Sequence, residues 1–156
     1  MSFEKAKEFL ESKNLGDKII VLDEKSATVE QAANALGVTE AEIAKTLSFI
    51  VDEKPILIVL EGTARIDNKK YRQTFHTKAR MIPFDLVEEL TGHEVGGVCP
   101  FGVNDNINIY LDESLRNYEK VYPAAGNDHT AIVLSLEELE TAVNPTAWVD
   151  VAKISE

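Results

Sequence analysis

The chain has 156 residues, of which 44% are hydrophobic and 28% charged, a composition typical of one globular domain. Its formal net charge of −11 at pH 7 argues against a protein that coats DNA or RNA, because phosphate neutralisation supplies most non-specific affinity. No apolar run reaches the ~18 residues of a membrane span, the N-terminus lacks the apolar region of a secretory signal, and a single cysteine excludes an internal disulfide framework.

The first part of the chain predicts helices separated by one short strand. SFEKAKEFLESKN has apolar residues at helical spacing and ends before Gly16, and KIIVLD beyond it is β-rich. Two capping boxes follow, Thr28 with Gln31 and Thr39 with Glu42. They predict two short helices, TVEQAANALG and TEAEIAKTL, the second of which runs directly into a strand.

A β-hairpin is predicted next, followed by an irregular mixture of elements. LSFIVDEKPILIVLEG has two β-rich runs around residues 52–55, and their nearly continuous apolar character favours a central position in a sheet. Helices are then predicted in residues 65–75, in PFDLVEELTG and after Ser135, where Glu138 completes a capping box. Strands are predicted in ARMI, NINIYLD, KVYPAA, TAIVLS and AWVDVA. This irregular order favours an α+β fold with a mixed sheet over a doubly wound parallel one.

Residues 93–105, HEVGGVCPFGVND, concentrate three glycines, a proline and the only cysteine. They do not form a phosphate loop, because the lysine and hydroxyl that should follow its last glycine are missing. Cys99 is open to three interpretations: a nucleophile, a metal ligand without supporting ligand spacing, or a small buried thiol lining a pocket. Glycines let main-chain N–H groups approach a ligand, and Pro100 stiffens the frame, so the loop suits either an oxyanion or an ordinary turn.

Two positively charged features stand out against the acidic composition. Lys45 lies among apolar residues where the predicted helix meets the strand, and an ammonium there can hold a carbonyl, a phosphate or a water. The alternative for Lys45 is a side chain that extends to solvent at a helix C-terminus. Residues 65–80, RIDNKKYRQTFHTKAR, contain six Lys/Arg and one acidic residue, which indicates either a solvated helix face or a short footprint for a polyanion.

Four segments together resemble one family. IAKTLSF, KPILIVLEG, LTGHEVGGVCPFG and VYPAAGNDHTAIVLS occur in the order and spacing of the YbaK/EbsC family, the prolyl-tRNA synthetase-associated domain of bacterial aminoacyl-tRNA deacylases. The resemblance covers roughly residues 27–152. It implies a single compact α+β domain, here expected over residues 1–156, with a curved mixed β-sheet flanked by short helices. It also implies hydrolysis of the ester between a wrong amino acid and the 3′-terminal ribose of a tRNA.

The resemblance also implies which residues form the site. The essential lysine of the family falls on Lys45, and neither a metal nor an organic cofactor is implied. Substrate-binding positions fall in two loops, and they are Gly96, Gly97, Val98, Cys99, Pro100 and Gly102 in the first and Gly126, Asn127 and His129 in the second. Many members carry Ser or Thr where Cys99 stands, so the family does not imply which amino acid is removed. Lys69, Lys70 and Arg72 are the candidates for contacts with acceptor-stem phosphates.

The expected partners follow from the same resemblance. They are the acceptor end of a mischarged tRNA, of the tRNA(Pro) type or a related one, and prolyl-tRNA synthetase. We expect a free-standing cytoplasmic editor that acts in trans, with no membrane or DNA partner. Two alternatives remain: a non-catalytic module that recruits tRNA or a synthetase, and a hydrolase that uses Cys99 as its nucleophile.

Overall fold

A computed structural model of the chain describes residues 2–154 and contains a six-stranded mixed sheet surrounded by helices. The helices are α1 (Ser2–Ser12), α2 (Val29–Leu36), α3 (Asn68–Phe75), α4 (Val87–Thr91) and α5 (Leu136–Val143). The strands are β1 (Ile19–Val21), β2 (Ile43–Val51), β3 (Lys54–Glu61), β4 (Ala64–Ile66), β5 (Asn108–Asp112), β6 (Lys120–Pro123), β7 (Thr130–Ile132), β8 (Leu134–Ser135), β9 (Ala147–Val149) and β10 (Ala152–Ile154).

The main sheet has the order β8-β6-β2-β3-β5-β9, and two small sheets pair β1 with β7 and β4 with β10. β2 and β3 are antiparallel, whereas β2–β6, β3–β5 and β5–β9 are parallel. The predicted α+β fold with a curved mixed sheet is therefore confirmed, as is the central position of the β2–β3 hairpin. Asp52 and Glu53 both have positive φ, 51° and 67°, which is the two-residue turn whose twist matches that of a hairpin.

The predicted helix TEAEIAKTL is wrong. The capping box of Thr39 and Glu42 forms, but it supports only one 3₁₀ turn, Glu40–Glu42, and β2 begins at Ile43. Eight residue pairs with β3 outweigh the local helix signal, as tertiary pairing commonly does. Lys45 therefore lies inside a strand and not at the end of a helix.

Other differences from the predicted elements have similar causes. The helix predicted for residues 65–75 begins at Asn68, because Asp67 caps it and the residues before it pair with β10. ARMI forms a single bridge, between Met81 and Phe49, and not a strand. AWVDVA divides into β9 and β10, and TAIVLS into β7 and β8, because in each case the chain changes partner strand.

The hairpin separates two apolar layers. On one face, Leu57 and Val59 belong to a core that also contains residues of α1 and α5. On the other face, Ile58 and Leu60 pack in a second core with Tyr71 of α3. Because side chains alternate along a strand, this division sends neighbouring residues of β2 to opposite faces.

β6 stays beside β2 for only two residue pairs. It pairs with β2 at Ile43 and Ala44, and then Ala124 bridges to Ala131 of β7. In the part of the chain that the structure describes, no strand pairs with this edge of β2 from Lys45 until Ser48, whose carbonyl accepts from the Ile82 N–H at 3.1 Å. This stretch, residues 45–48, is called the open edge of β2.

Candidate active site at the open edge of β2

A cavity of about 550 Å³ opens where β6 diverges from β2. Its lining comes from five segments, within residues 26–32, 43–48, 81–87, 95–98 and 122–131. Most of the lining side chains are apolar, and a few polar groups are placed among them. A concave, mostly apolar cavity of this size with a few polar groups is typical of a small-ligand site.

Lys45 is the charged residue of the lining. Its Nζ donates hydrogen bonds to the carbonyl oxygens of Gly62 at 3.1 Å and Ala64 at 2.5 Å. An ammonium has three N–H donors, so these two hydrogen bonds leave one N–H unused. Gly62 is required for this arrangement, because a Cβ there would lie 1.9 Å from the Glu40 carbonyl oxygen.

Glu61 compensates the charge of the lysine. Burial lowers the pKa of Lys45, and the nearby Glu61 carboxylate opposes that shift with a smaller effect. Glu61 is itself buried and accepts hydrogen bonds from the hydroxyls of Thr63 at 2.5 Å and Tyr118 at 3.4 Å. Sequence analysis missed Glu61, although an acidic residue that ends an almost wholly apolar strand was a usable signal.

The first loop divides into residues that face the cavity and residues that do not. Gly96 and Val98 line the cavity. Gly97 does not, since its N–H donates to the Glu94 carbonyl at 3.0 Å and a Cβ would lie 2.5 Å from Asn127 Cα. Pro100 is buried, and a Cβ on Gly102 would lie 2.4 Å from the Lys5 carbonyl oxygen. The absent side chains of Gly97 and Gly102 therefore make room for other main-chain segments.

Cys99 is fully buried behind the loop and is not among the residues that line the cavity. Its thiol donates to the Phe101 carbonyl at 3.7 Å, and Sγ lies 3.5 Å from His93 Nε2. Burial raises the pKa of Cys99 to about 12. The thiol is therefore protonated at neutral pH, which argues against hydrolysis by a cysteine thiolate.

His93 is a buried link that sequence analysis did not identify. Its Nε2–H donates to the Phe101 carbonyl at 2.6 Å, and Nδ1 lies 2.8 Å from the oxygen of the Ser2 hydroxyl, whose single proton is donated to the Gly126 carbonyl. The imidazole thus connects α1 with both predicted loops. Burial lowers the pKa of His93, which favours its neutral form.

The second loop also packs against its surroundings. A Cβ on Gly126 would lie 2.8 Å from Phe3 Cα. Asn127 Oδ1 accepts from the His129 N–H at 3.0 Å and the Thr130 hydroxyl at 2.8 Å, while the His129 ring is exposed and lies 3.2 Å from Asp128. None of the three predicted residues of this loop is among those that line the cavity, so their contact with substrate stays a prediction.

Two residues of the lining carry a buried hydroxyl without a hydrogen-bond partner. Within residues 2–154, the buried side-chain polar atoms without a hydrogen bond are Ser26 Oγ, Thr46 Oγ1 and Tyr71 Oη. Ser26 and Thr46 line the cavity, whereas Tyr71 belongs to the core under α3. Sequence analysis missed both lining residues, because an isolated Ser or Thr carries no motif.

The predicted phosphate-binding residues lie on α3, away from the cavity lining. Lys69 and Arg72 are exposed beside a shallow groove. Lys70 donates to Asp150 Oδ1 and the Ala152 carbonyl, both at 3.0 Å, so its charge is already paired.

Residues 2–154 contain neither a metal-binding cluster nor a membrane-spanning helix. No group of three or more His, Cys, Asp or Glu side chains there is arranged to hold a metal ion. Nor does this described part of the chain contain a helix with the length and apolar character that crossing a membrane requires.

The chain is similar to a described protein family, to known sequences and to solved structures. The sequence model of a family described as an aminoacyl-tRNA editing domain matches residues 23–142. YwhH of Bacillus subtilis (strain 168) is 48% identical over 141 residues, which is 90% of each chain. EbsC of Enterococcus faecalis (strain ATCC 700802 / V583), named as a candidate Cys-tRNA(Pro)/Cys-tRNA(Cys) deacylase, is 28% identical over 75% of this chain and 73% of its own. A crystal structure of a candidate trans-editing enzyme for prolyl-tRNA synthetase matches with a TM-score of 0.86 at 29% identity over 97% of each chain.

Proposed function

The chain belongs to the aminoacyl-tRNA editing domain family, and from this premise we propose that it hydrolyses the ester of a mischarged aminoacyl-tRNA in trans. Family membership and the resemblance to EbsC and to the prolyl-tRNA synthetase trans-editing structure support a deacylase. The observation that carries the residue assignment is Lys45, a half-buried cation with one N–H left for a ligand in the cavity. We place the activity in the cytoplasm, on tRNA(Pro) or a related tRNA, with prolyl-tRNA synthetase as a partner.

In this proposal the acyl group enters the cavity and its ester carbonyl faces Lys45. As a nucleophile adds to the carbonyl carbon, negative charge develops on the carbonyl oxygen, and the third N–H of Lys45 stabilises it. A well-placed donor of this kind contributes roughly 3 to 4 kcal/mol to a transition state. Gly96 and Val98 line the same cavity, and we assign their N–H groups as the loop donors that assist.

The nucleophile is a water molecule, and the tRNA itself assists it. None of the described residues that line the cavity is an Asp, Glu or His, the usual general bases. The ribose hydroxyl next to the ester therefore relays the proton. The bond from water oxygen to the acyl carbon forms and the ester C–O bond breaks. One water proton ends on the leaving ribose oxygen, and the amino acid departs as a carboxylate after releasing the other proton to solvent.

The exposed charges of α3 extend the proposal to the rest of the tRNA. Lys45 donates to Ala64, and α3 begins only four residues later, at Asn68, so the predicted phosphate contacts start close to the catalytic lysine. Lys69 and Arg72 are exposed and suited to phosphate contacts, whereas Lys70 is held by Asp150. Replacing Lys69 and Arg72 by Gln should weaken tRNA binding and reduce the slope of log affinity against log salt by about 1 to 2. An unchanged slope would remove α3 from the tRNA footprint.

The decisive experiment measures deacylation of mischarged tRNA by the isolated chain with no synthetase present. We expect turnover by the unaltered protein and a loss on the order of 10³-fold in kcat/KM for Lys45→Ala. Lys54→Ala is the matched control, because Lys54 is exposed at the turn of the same hairpin. If the unaltered chain binds tRNA without turnover, the recruiting-module alternative is correct, and full activity in Lys45→Ala would remove the catalytic role of this lysine.

A further inference from the structure

Exposed apolar side chains are concentrated around the cavity. Within residues 2–154, the large hydrophobic side chains that are exposed are those of Val21, Met81, Phe84, Leu86, Val95 and Ile154. Three of these six line the cavity: Met81 is 58% exposed, Phe84 77% and Val95 45%. Apolar groups that cluster at the surface mark interaction sites, whereas single ones need no explanation. These three residues are called the apolar rim, and a ligand can reach them from solvent.

We propose that Phe84 of the apolar rim stacks on the adenine base at the 3′ end of the tRNA. This inference rests on the proposed function and adds to it the residue that binds the nucleoside end of the substrate. The ester joins the acyl group to the terminal ribose, and the base is attached to that same ribose. A cavity that holds the acyl group therefore has the base beside its opening.

The main chain holds Phe84 next to the open edge of β2. The Ile82 N–H donates to the Ser48 carbonyl at 3.1 Å, at the end of that edge. Pro83 follows, and its ring fixes φ, which is −54° here. Phe84 then begins a 3₁₀ turn, Phe84–Leu86. Because the aromatic ring is carried by a segment already fixed to the sheet, binding a base requires little further ordering of the chain.

The charges near the rim favour a base over a phosphate. Residues 81–95 contain no Lys or Arg, and their four acidic residues are all exposed: Asp85, Glu88, Glu89 and Glu94. Carboxylates repel phosphates, so this segment is unsuited to the RNA backbone. The face of a nucleobase is uncharged and stacks on aromatic rings, which is a main source of affinity for single-stranded nucleic acid. The terminal base of a tRNA lies in such a single strand and is free to stack.

The test uses an acceptor-stem microhelix of tRNA(Pro) that carries alanine at its 3′ end through a stable amide. Two forms are compared by calorimetry, one with the terminal adenine and one with an abasic terminal nucleotide. We expect the unaltered chain to bind the adenine form about tenfold more tightly. Phe84→Ala should bind both forms equally, Phe84→Leu should lose most of the preference, and Phe84→Trp should keep it.

The matched control is Leu86→Ala, which removes an exposed apolar side chain from the same 3₁₀ turn, outside the cavity lining. It should keep the preference for the adenine form. Because Phe84 is mostly exposed, we expect all of its variants to fold, which urea unfolding checks.

Hydrolysis assays separate this inference from the proposed function. Phe84→Ala should lower kcat/KM on Ala-tRNA(Pro) about tenfold and leave hydrolysis of alanine ethyl ester, which has no base, unchanged. Equal binding of the two microhelices by the unaltered chain, or a preference that survives Phe84→Ala, would overturn the inference and leave the deacylase proposal intact. An effect of Phe84→Ala confined to association with prolyl-tRNA synthetase or with a second copy of the chain would assign the rim to a protein partner and also overturn it. Absence of turnover on every ester would instead count against the proposed function.

Discussion

The open edge of β2 and the first glycine loop border the same cavity, yet they differ in what their polar groups bind. At the open edge, Lys45 has one N–H left beyond its two hydrogen bonds, and the Thr46 hydroxyl has no partner. In the first loop, the Gly97 N–H donates to the Glu94 carbonyl, and the space beside Gly97 and Gly102 is filled by neighbouring main chain. The conspicuous glycine pattern therefore mainly serves close packing of the main chain, while the chemistry that we propose lies on an ordinary-looking strand.

The largest effect on stability should come from Gly97→Ala. The new Cβ would lie 2.5 Å from Asn127 Cα and 2.6 Å from Gly126 C. Both are main-chain atoms, which cannot move away as the end of a flexible side chain could. We expect the free energy of unfolding to fall by about 3 kcal/mol, the upper end for overpacking, as measured by urea denaturation.

Gly37→Ala serves as the comparison for Gly97→Ala. Nothing lies within 4 Å of a Cβ on Gly37, and its φ of 72° alone should cost about 1 kcal/mol. If Gly97→Ala instead remains as stable as the unaltered protein and loses activity, the first loop is a ligand-binding element and the contrast with the open edge fails.

The second effect is the pH dependence of deacylation that we expect from the protonation of Lys45. Burial lowers its pKa below the ordinary 10.5, so its charged form is disfavoured in the folded protein. A deacylation that needs the cation is therefore lost as pH rises through the lowered pKa, by about tenfold per pH unit above it. The corresponding stability change has the opposite sign: the fold gains stability as pH rises from that pKa towards 10.5, because the buried charge is removed.

The pH profile of kcat/KM, corrected for spontaneous ester hydrolysis, measures this effect. Lys45→Arg is the control, because a guanidinium stays charged throughout the accessible range. Its residual activity should show no alkaline decline. An unchanged alkaline decline in Lys45→Arg would assign the titration to another group, such as the substrate amine.

An element could be predicted from the sequence where local contacts determine its structure, but not where distant contacts do. The hairpin was predictable because its turn and its apolar runs are local signals, and so was the capped helix α2. The helix predicted over Lys45 was wrong because pairing with β3 and β6 overrides a real capping box. The open edge at residues 45–48 depends on where β6 diverges, a tertiary event that no pattern within residues 43–51 encodes.

A smaller effect is expected from Cys99→Ala. The thiol fills space in the core and does not line the cavity, so its removal should lower the free energy of unfolding by about 1 to 1.5 kcal/mol. Deacylation of a fixed substrate should stay within about twofold of the unaltered rate, since a thiol with a pKa of about 12 supplies no thiolate. A loss of deacylation comparable with that of Lys45→Ala, in a variant whose unfolding curve is near normal, would indicate that Cys99 takes part in hydrolysis.

The smallest expected effect compares the buried unpaired hydroxyls of the core under α3 and of the open edge. Tyr71 is fully buried in the core under α3, its Oη has no partner, and burial raises its pKa to about 12, so the phenol is neutral and unpaired. Tyr71→Phe should therefore raise the free energy of unfolding by up to about 1 kcal/mol, measured as a higher urea midpoint at constant m value. Thr46→Val should share this gain, because Thr46 Oγ1 is likewise buried without a partner. Destabilisation by Tyr71→Phe would mean that this hydroxyl binds an ordered water. The same explanation would then apply to the Thr46 hydroxyl, and neither group would be truly unpaired.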